Sequence, residues 1–102
     1  MDNNYKNIKE LIEYSKGGIL SNVIFKDGKN DITLFCLGEN TEIAEHTSTR
    51  QGFVFVLEGD GIFKLENEEI KMKKDVMIFL KKNVVHSINV SKNTSFILCL
   101  YN

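Results

Sequence analysis

Eight short apolar runs, separated by polar turns at a spacing of roughly ten residues, fill the sequence from residue 19 onward. The runs span residues 19–25, 31–37, 52–58, 62–66, 69–73, 76–80, 84–90 and 95–101. They consist mainly of Val, Ile, Leu and Phe, and such residues favour β-strands. After the third run, the Gly-Asp-Gly turn at 59–61 predicts a tight hairpin, because glycine adopts positive φ at little cost. The pattern predicts an all-β fold, either a sandwich or a barrel.

The segment before residue 19 carries the only helix signal in the sequence. Apolar residues recur there at the i, i+3, i+4 spacing of one helix face, and they are Ile8, Leu11 and Ile12. Asn4 is a candidate N-cap, and the glycine pair at 17–18 would end the helix. We therefore expect a helix and lead-in over residues 1–18 and a barrel over residues 19–102.

The charge balance and the cysteine content exclude several classes of protein. The sequence has 13 basic and 14 acidic residues, a formal net charge of −1, whereas a nucleic-acid-binding module needs a basic excess to displace counterions. No run approaches the roughly 20 apolar residues that cross a bilayer, and the first residues lack the apolar core of a signal peptide. Two cysteines are too few for a disulfide framework. We expect a cytoplasmic protein without nucleic-acid or membrane partners.

Three of the runs, 54–58, 76–80 and 95–101, are almost continuously apolar instead of alternating. Strands of this kind are usually covered on both faces. One face can fill the interior of a barrel, but a chain of 102 residues has little else with which to cover the other. We therefore expect a homodimer, in which a second copy covers an apolar patch.

The two histidines of the sequence lie in segments that resemble the two motifs of the cupin superfamily. Residues 45–61, EHTSTRQGFVFVLEGDG, resemble the first motif, in which a His-x-His pair precedes a glutamate and a strand that ends in glycine. Residues 75–89, DVMIFLKKNVVHSIN, resemble the second motif, which is an apolar strand, a turn and a histidine. The resemblance extends over the sequence from residue 19 onward, and it implies a jelly-roll barrel, also called a double-stranded β-helix.

In the metal-dependent cupins that this chain resembles, three histidines and a glutamate hold iron, manganese, nickel or zinc. Here His46 and His86 match two of the ligands, but Ser48 and Gly52 occupy the positions of the other histidine and of the glutamate. A catalytic metal normally has three protein ligands, so the resemblance implies weak metal binding or none. Gln51, next to the glutamate position, is an alternative third ligand, although strand alternation points it away from the barrel unless a bulge intervenes.

The resemblance also makes a geometric prediction about the two histidines. If His46 and His86 both point into one barrel, their imidazoles should approach within about 5 Å, close enough to share a metal. Any metal affinity should then fall as the histidines protonate below about pH 6.5. Replacing Ser48 with His and Gly52 with Glu should restore tight binding if the missing ligands are the cause.

Arg50, the single arginine of the sequence, is either a solvated loop residue or a group that holds a ligand carboxylate through two hydrogen bonds. The predicted pocket residues are His46, Ser48, Arg50, Gln51 and His86. Three functions remain open at this point: a barrel that binds a small molecule, a metal-dependent dioxygenase, isomerase or decarboxylase, and a scaffold without pocket chemistry. A cavity between the two histidines would favour the first two functions, and a barrel filled by Phe and Met would favour the third.

Overall fold

The computed structural model describes residues 4–101, which form one short helix and nine strands. Helix α1 spans Ile8–Leu11, and strands β1 to β9 span Ile19–Lys26, Asn30–Leu37, Glu42–His46, Gln51–Glu58, Gly61–Leu65, Glu68–Met72, Met77–Leu80, His86–Val90 and Thr94–Tyr101. Residues 1–3 and 102, which the two predicted segments include, lie outside the described residues. Strand β3 is not among the predicted runs, because only Ile43 and Ala44 of its five residues are apolar.

The strands form two sheets that face each other across the core. The five-stranded sheet has the order β1-β2-β9-β4-β7, and the four-stranded sheet has the order β3-β8-β5-β6. All paired strands are antiparallel, and beyond β2 the chain crosses repeatedly from one sheet to the other, as in a jelly roll. The predicted all-β fold is therefore confirmed.

The core lies between the inward faces of the two sheets. Its buried apolar side chains are Leu37, Val54, Val56, Phe63, Met72, Ile78, Leu80, Ile88, Val90 and Phe96. In β4 the even-numbered residues from Gly52 to Val56 are buried, whereas the odd-numbered residues from Gln51 to Leu57 are only partly covered. Since side chains alternate along a strand, the odd-numbered residues of β4 lie on the outer face of the five-stranded sheet.

The helix is shorter than the prediction and begins at a different residue. It has four residues, its N-cap is Asn7 instead of Asn4, and at Ile12 the backbone is already extended, well before the glycine pair. A single turn fixes its backbone for few hydrogen bonds, so it is not stable without tertiary contacts. The extended segment after it crosses the outer face of the five-stranded sheet, where the Tyr14 hydroxyl donates a 2.8 Å hydrogen bond to Glu58.

The predicted hairpin at residues 59–61 is wrong, because β4 and β5 belong to different sheets. The turn is tight, but it carries the chain across the edge of the barrel instead of back along β4. Gly59 has a φ of 134°, and a Cβ at this position would overlap the side chain of the buried Thr94. Glycine is therefore needed at this corner both for its φ and for the close approach of β9.

Candidate functional site

His46 and His86 lie directly opposite each other on the neighbouring strands β3 and β8. Their ring centroids are 4.0 Å apart, and the ring planes are inclined by 61°. Both rings line one small cavity inside the barrel. The prediction that the two imidazoles approach within about 5 Å is confirmed.

A bulge in β3 gives His46 this orientation. Ile43 pairs with Ile88 and packs against the core, and strict alternation from Ile43 would turn His46 to the opposite face. The register shifts between Ile43 and His46, so that three residues of β3 are matched by two of β8. The extra residue returns His46 to the inner side of the sheet, where it meets His86.

Both imidazoles make the same hydrogen bond to the main chain. Nδ1 of His46 lies 2.9 Å from the carbonyl oxygen of Ala44, and Nδ1 of His86 lies 3.0 Å from that of Val84. A carbonyl oxygen only accepts, so each Nδ1 carries the proton and donates it. In the neutral imidazole the other nitrogen is then an acceptor, so the two rings present two Nε2 lone pairs to their surroundings.

The two histidines differ in burial. His46, at the end of an edge strand, is exposed, whereas His86 has only 7% of its surface exposed and stacks on Phe63 with ring centroids 5.7 Å apart. Burial lowers the pKa of His86 below its ordinary value of 6.5, the hydrogen bond to Val84 opposes this shift, and charge on His46 adds to it. His86 is therefore neutral at physiological pH.

The cavity beneath the histidines is small and otherwise apolar. Its volume is about 60 Å³. It is lined by Phe35, Ile43, His46, Val54, Phe63, Leu80, His86, Ile88, Phe96 and Leu98. Such a volume holds a few water-sized groups, far less than the roughly 300–1,000 Å³ of a site for a drug-sized molecule. The two imidazoles are the only polar side chains in this lining, so they determine which polar groups the cavity accepts.

Ser48 and Gly52 occupy the two remaining metal-ligand positions that the family resemblance implies. Neither adds a metal ligand beside the two histidines. The Ser48 hydroxyl accepts a 3.1 Å hydrogen bond from the Arg50 amide, and its carbonyl accepts one of 2.7 Å from Asn83. A Cβ at Gly52 would overlap the carbonyl oxygen of Cys99 on β9. The expected rescue by Gly52→Glu is therefore wrong, because the close approach of β9 leaves no room for any side chain there.

Gln51 lies on the outer face of the five-stranded sheet, opposite to the cavity that Val54 lines. It pairs with Tyr101, and the register shift of β4 falls between Val56 and Glu58, at the far end of the strand. The bulge that would turn Gln51 inward is thus absent at its end of β4. Gln51 does not join the two histidines.

Arg50 connects three segments at one end of the barrel. Its guanidinium donates a 2.5 Å hydrogen bond to the Asp31 carboxylate, and it also donates to the carbonyl oxygens of Lys29 and Leu100 at 2.6 and 3.2 Å. Only a quarter of the Arg50 side chain is exposed. The guanidinium already holds a carboxylate of its own chain, and its role toward a ligand stays a prediction.

The residues present do not fit the metal of the family. Two imidazole ligands are one short of the three that a catalytic metal normally has. Within residues 4–101, no three His, Cys, Asp or Glu side chains are grouped so that they could hold an ion. The hydrogen bonds from Nδ1 to a carbonyl are typical of metal-ligating histidines, but the two imidazoles lack the remaining ligands of such a site among residues 4–101.

Solved structures with the same fold include two bacterial cupins and a protein of unknown function. The latter, from Streptococcus pyogenes, has a TM-score of 0.86 at 17% identity, over 97% of this chain and 87% of its own. A cupin superfamily protein from Desulfitobacterium hafniense has a TM-score of 0.85 at 15% identity, over 90% and 84% of the two chains. A cupin 2 conserved barrel domain protein from Leptotrichia buccalis has a TM-score of 0.87 at 22% identity. The match covers 95% of this chain and 47% of that longer chain. These likenesses confirm the predicted jelly-roll fold.

Three further findings bear on the class of the protein. No protein of curated function matches the sequence. Among the described residues, no helix has the length and apolar character needed to cross a membrane. The family model for the cupin domain matches residues 33–101, which is more than half of the chain and includes both histidines. The chain therefore belongs to the cupin domain family.

Proposed function

We propose that this cupin barrel binds a small molecule at the histidine pair. One observation carries the proposal: the rings of His46 and His86 face one cavity at a centroid distance of 4.0 Å, and both Nδ1–H groups are already bonded to the main chain. Two hydrogen-bond acceptors thus converge on an apolar space. A polar side chain pair of this kind orients a ligand, and the apolar walls supply the burial that holds it.

The hydrogen bonds of the histidines define which head group fits. When both rings are in the neutral Nδ1–H form, both Nε2 atoms accept and neither donates, so the ligand has to donate. A hydroxyl or an ammonium group meets this requirement, whereas a carboxylate offers only acceptors and would face two lone pairs. We therefore assign to the site a ligand with a donating head group on a short apolar body.

The size of the cavity limits the affinity. A ligand of four non-hydrogen atoms gains at most about 1.5 kcal/mol per atom, which caps its binding free energy near −6 kcal/mol and its Kd in the tens of micromolar. Ordinary ligands of this size bind in the millimolar range. A tighter physiological ligand would extend out of the cavity past the exposed ring of His46.

The test uses three probes that differ in the head group: 1-propanol, propylammonium and propanoate. We expect 1-propanol and propylammonium to shift the imidazole NMR signals of both histidines at pH 8 with millimolar Kd, and propanoate to leave them unchanged. His46→Phe should weaken binding at least tenfold, and Glu45→Gln, on the neighbouring exposed residue, should not. Absence of any probe-dependent shift would contradict the proposed function. Equal binding of propanoate would contradict only the assignment of the head group.

The metal-dependent enzyme is the second hypothesis, and the carbonyl-bonded Nδ1 atoms of both histidines favour it. Since the chain supplies two imidazoles and no third ligand among residues 4–101, we assign no reaction step to a metal.

A cytoplasmic location belongs to the same proposal. Cys36 and Cys99 are free thiols, as a reducing compartment would keep them.

A further inference from the structure

The paired histidines determine how many hydrogen-bond donors a ligand of the cavity needs. In the neutral Nδ1–H form, His46 already donates to the carbonyl oxygen of Ala44, and His86 donates to that of Val84. Each Nε2 is then an acceptor, and no side chain among residues 4–101 donates a hydrogen bond to it. Two acceptors without a donor require two protons from the ligand.

The two acceptors lie at different depths in the barrel. His86 has only 7% of its surface exposed and stacks on Phe63, so an Nε2 left without a donor there keeps the full cost of its desolvation. His46 is exposed, and it stands where a ligand leaves the cavity. A ligand that enters head first therefore meets His86 with its innermost donor and His46 with the next donor along its chain.

A single hydroxyl does not satisfy this arrangement. It carries one proton, so it can donate to only one of the two rings at a time. The ring centroids are 4.0 Å apart, and both rings line the same cavity of about 60 Å³. Two hydroxyls on neighbouring carbon atoms bring two donors into such a space, because their oxygens can lie as close together as hydrogen-bonded oxygens, about 2.8 Å apart.

The lining of the cavity also favours an uncharged head group. Apart from the two imidazoles its described side chains are apolar, and no Asp or Glu is among them. An ammonium group carries enough protons for both acceptors, but its charge would be buried without an opposite charge. A primary amide has two N–H donors, but its carbonyl oxygen would find no donor in the cavity. In a diol, each hydroxyl makes one hydrogen bond and no charge is buried.

We propose that the histidine pair binds the terminal 1,2-diol of a polyol, with one hydroxyl donating to Nε2 of His86 and the other to Nε2 of His46. This inference rests on the proposed function, because it names the class of ligand for the same cavity. The remainder of the polyol passes the exposed ring of His46 toward solvent.

The test compares three isomers that differ only in the number and spacing of their donors: 1,2-propanediol, 1,3-propanediol and 2-methoxyethanol. Their Kd values are measured at pH 8 from the imidazole NMR signals. We expect 1,2-propanediol to bind about fivefold more tightly than 2-methoxyethanol, which has a single donor. A factor of five corresponds to one additional hydrogen bond of about 1 kcal/mol. We also expect 1,2-propanediol to bind more tightly than 1,3-propanediol, whose hydroxyls are further apart.

Two variants locate the second hydroxyl. His46→Phe removes the outer acceptor but keeps an aromatic ring, so all probes should bind more weakly and the preference for 1,2-propanediol over 2-methoxyethanol should disappear. The control is Glu45→Gln, on the neighbouring exposed residue, which should keep the fivefold preference. A preference that persists in His46→Phe would overturn the role of His46 as the second acceptor.

The remaining outcomes separate this inference from the proposed function. Equal Kd values for 1,2-propanediol and 2-methoxyethanol in the unmodified protein would overturn the diol, although binding of 1-propanol would still support the proposed function. Binding of 1,3-propanediol as tight as that of 1,2-propanediol would overturn the spacing of the two hydroxyls. Failure of every probe, 1-propanol included, would contradict the proposed function itself.

Discussion

The cavity under the histidines and the outer face of the five-stranded sheet are both built from β-strand side chains, and they lie on opposite sides of that sheet. The cavity lies between the two sheets, holds about 60 Å³ and presents two converging hydrogen-bond acceptors. On the outer face, two uncharged rows of aligned residues run across all five strands, and Phe79 at 68% and Met77 at 45% are exposed there. The difference lies in what each surface offers: the cavity offers paired acceptors in a small space, which suit the small donating head group proposed above, whereas the outer face offers apolar side chains and no charge.

The largest expected difference in unfolding free energy is between two substitutions, one of a phenylalanine inside the barrel and one of a phenylalanine on the outer face of the five-stranded sheet. Phe63 is 1% exposed, lines the cavity and stacks on His86, so Phe63→Ala should cost about 3–5 kcal/mol of unfolding free energy. Phe79 is 68% exposed, so Phe79→Ala should change the stability of a single copy by no more than about 0.5 kcal/mol. Urea denaturation at a low protein concentration would check both values. Equal losses of unfolding free energy in the two variants would contradict the division into an inner and an outer surface.

Arg50 offers a smaller test of whether this end of the barrel is structural. Arg50→Lys keeps the charge but cannot reproduce the planar set of donors to Asp31, Lys29 and Leu100, so we expect a loss of about 1–2 kcal/mol. Lys26→Arg, an exposed change at the end of β1, is the matched control and should stay within about 0.5 kcal/mol. If Arg50→Lys left the stability unchanged and instead weakened binding of a ligand, Arg50 would be a ligand-binding residue, as the sequence first suggested.

The stability of the fold should also depend weakly on pH through His86. Burial lowers its pKa in the folded state, so the unfolded chain binds this proton more tightly. The stability that neutral His86 contributes is thus complete above about pH 6.5 and decreases as the pH falls from there through the folded-state value. Urea midpoints between pH 5 and 8 would show the decrease, and His86→Gln should flatten the curve. A midpoint that rises on acidification would contradict the buried, neutral state of His86.

The smallest expected effect is that of removing metal. With two imidazoles and no third ligand among the described residues, chelator treatment should move the melting temperature by less than about 1 °C, and the purified protein should hold well below one equivalent of metal. Elemental analysis of protein purified without chelator checks this. A full equivalent of iron, manganese, nickel or zinc would mean that a ligand from outside residues 4–101 or from a second copy completes the site.

The sequence predicted the elements that depend on local pattern and missed those that depend on contacts between strands. Apolar runs located eight strands, and the family resemblance brought His46 and His86 together. The bulge that turns His46 inward left no signal in the sequence, because a register shift depends on the partner strand.

The errors have the same origin. The glycines at 59 and 61 were correctly taken as a tight turn, but which sheet β5 joins is decided by pairing with β6 and β8. The absence of space at Gly52 depends on the Cys99 carbonyl, which is 47 positions away in the sequence. The helix predicted before residue 19 has only a single turn. The residues after it are extended along the sheet, where Tyr14 contacts Glu58, and this contact has no signal in the local sequence.

The central claim is that His46 and His86 both keep the proton on Nδ1 and present Nε2 as an acceptor to one cavity. Long-range ¹H–¹⁵N NMR of the imidazole rings at pH 8 measures this tautomer directly. The structure predicts that both histidines are protonated at Nδ1 and unprotonated at Nε2, because Nδ1 donates to Ala44 and Val84 at 2.9 and 3.0 Å. A spectrum in which either ring carries its proton on Nε2 would contradict the claim, because one acceptor would become a donor and the selection for donating head groups would be lost.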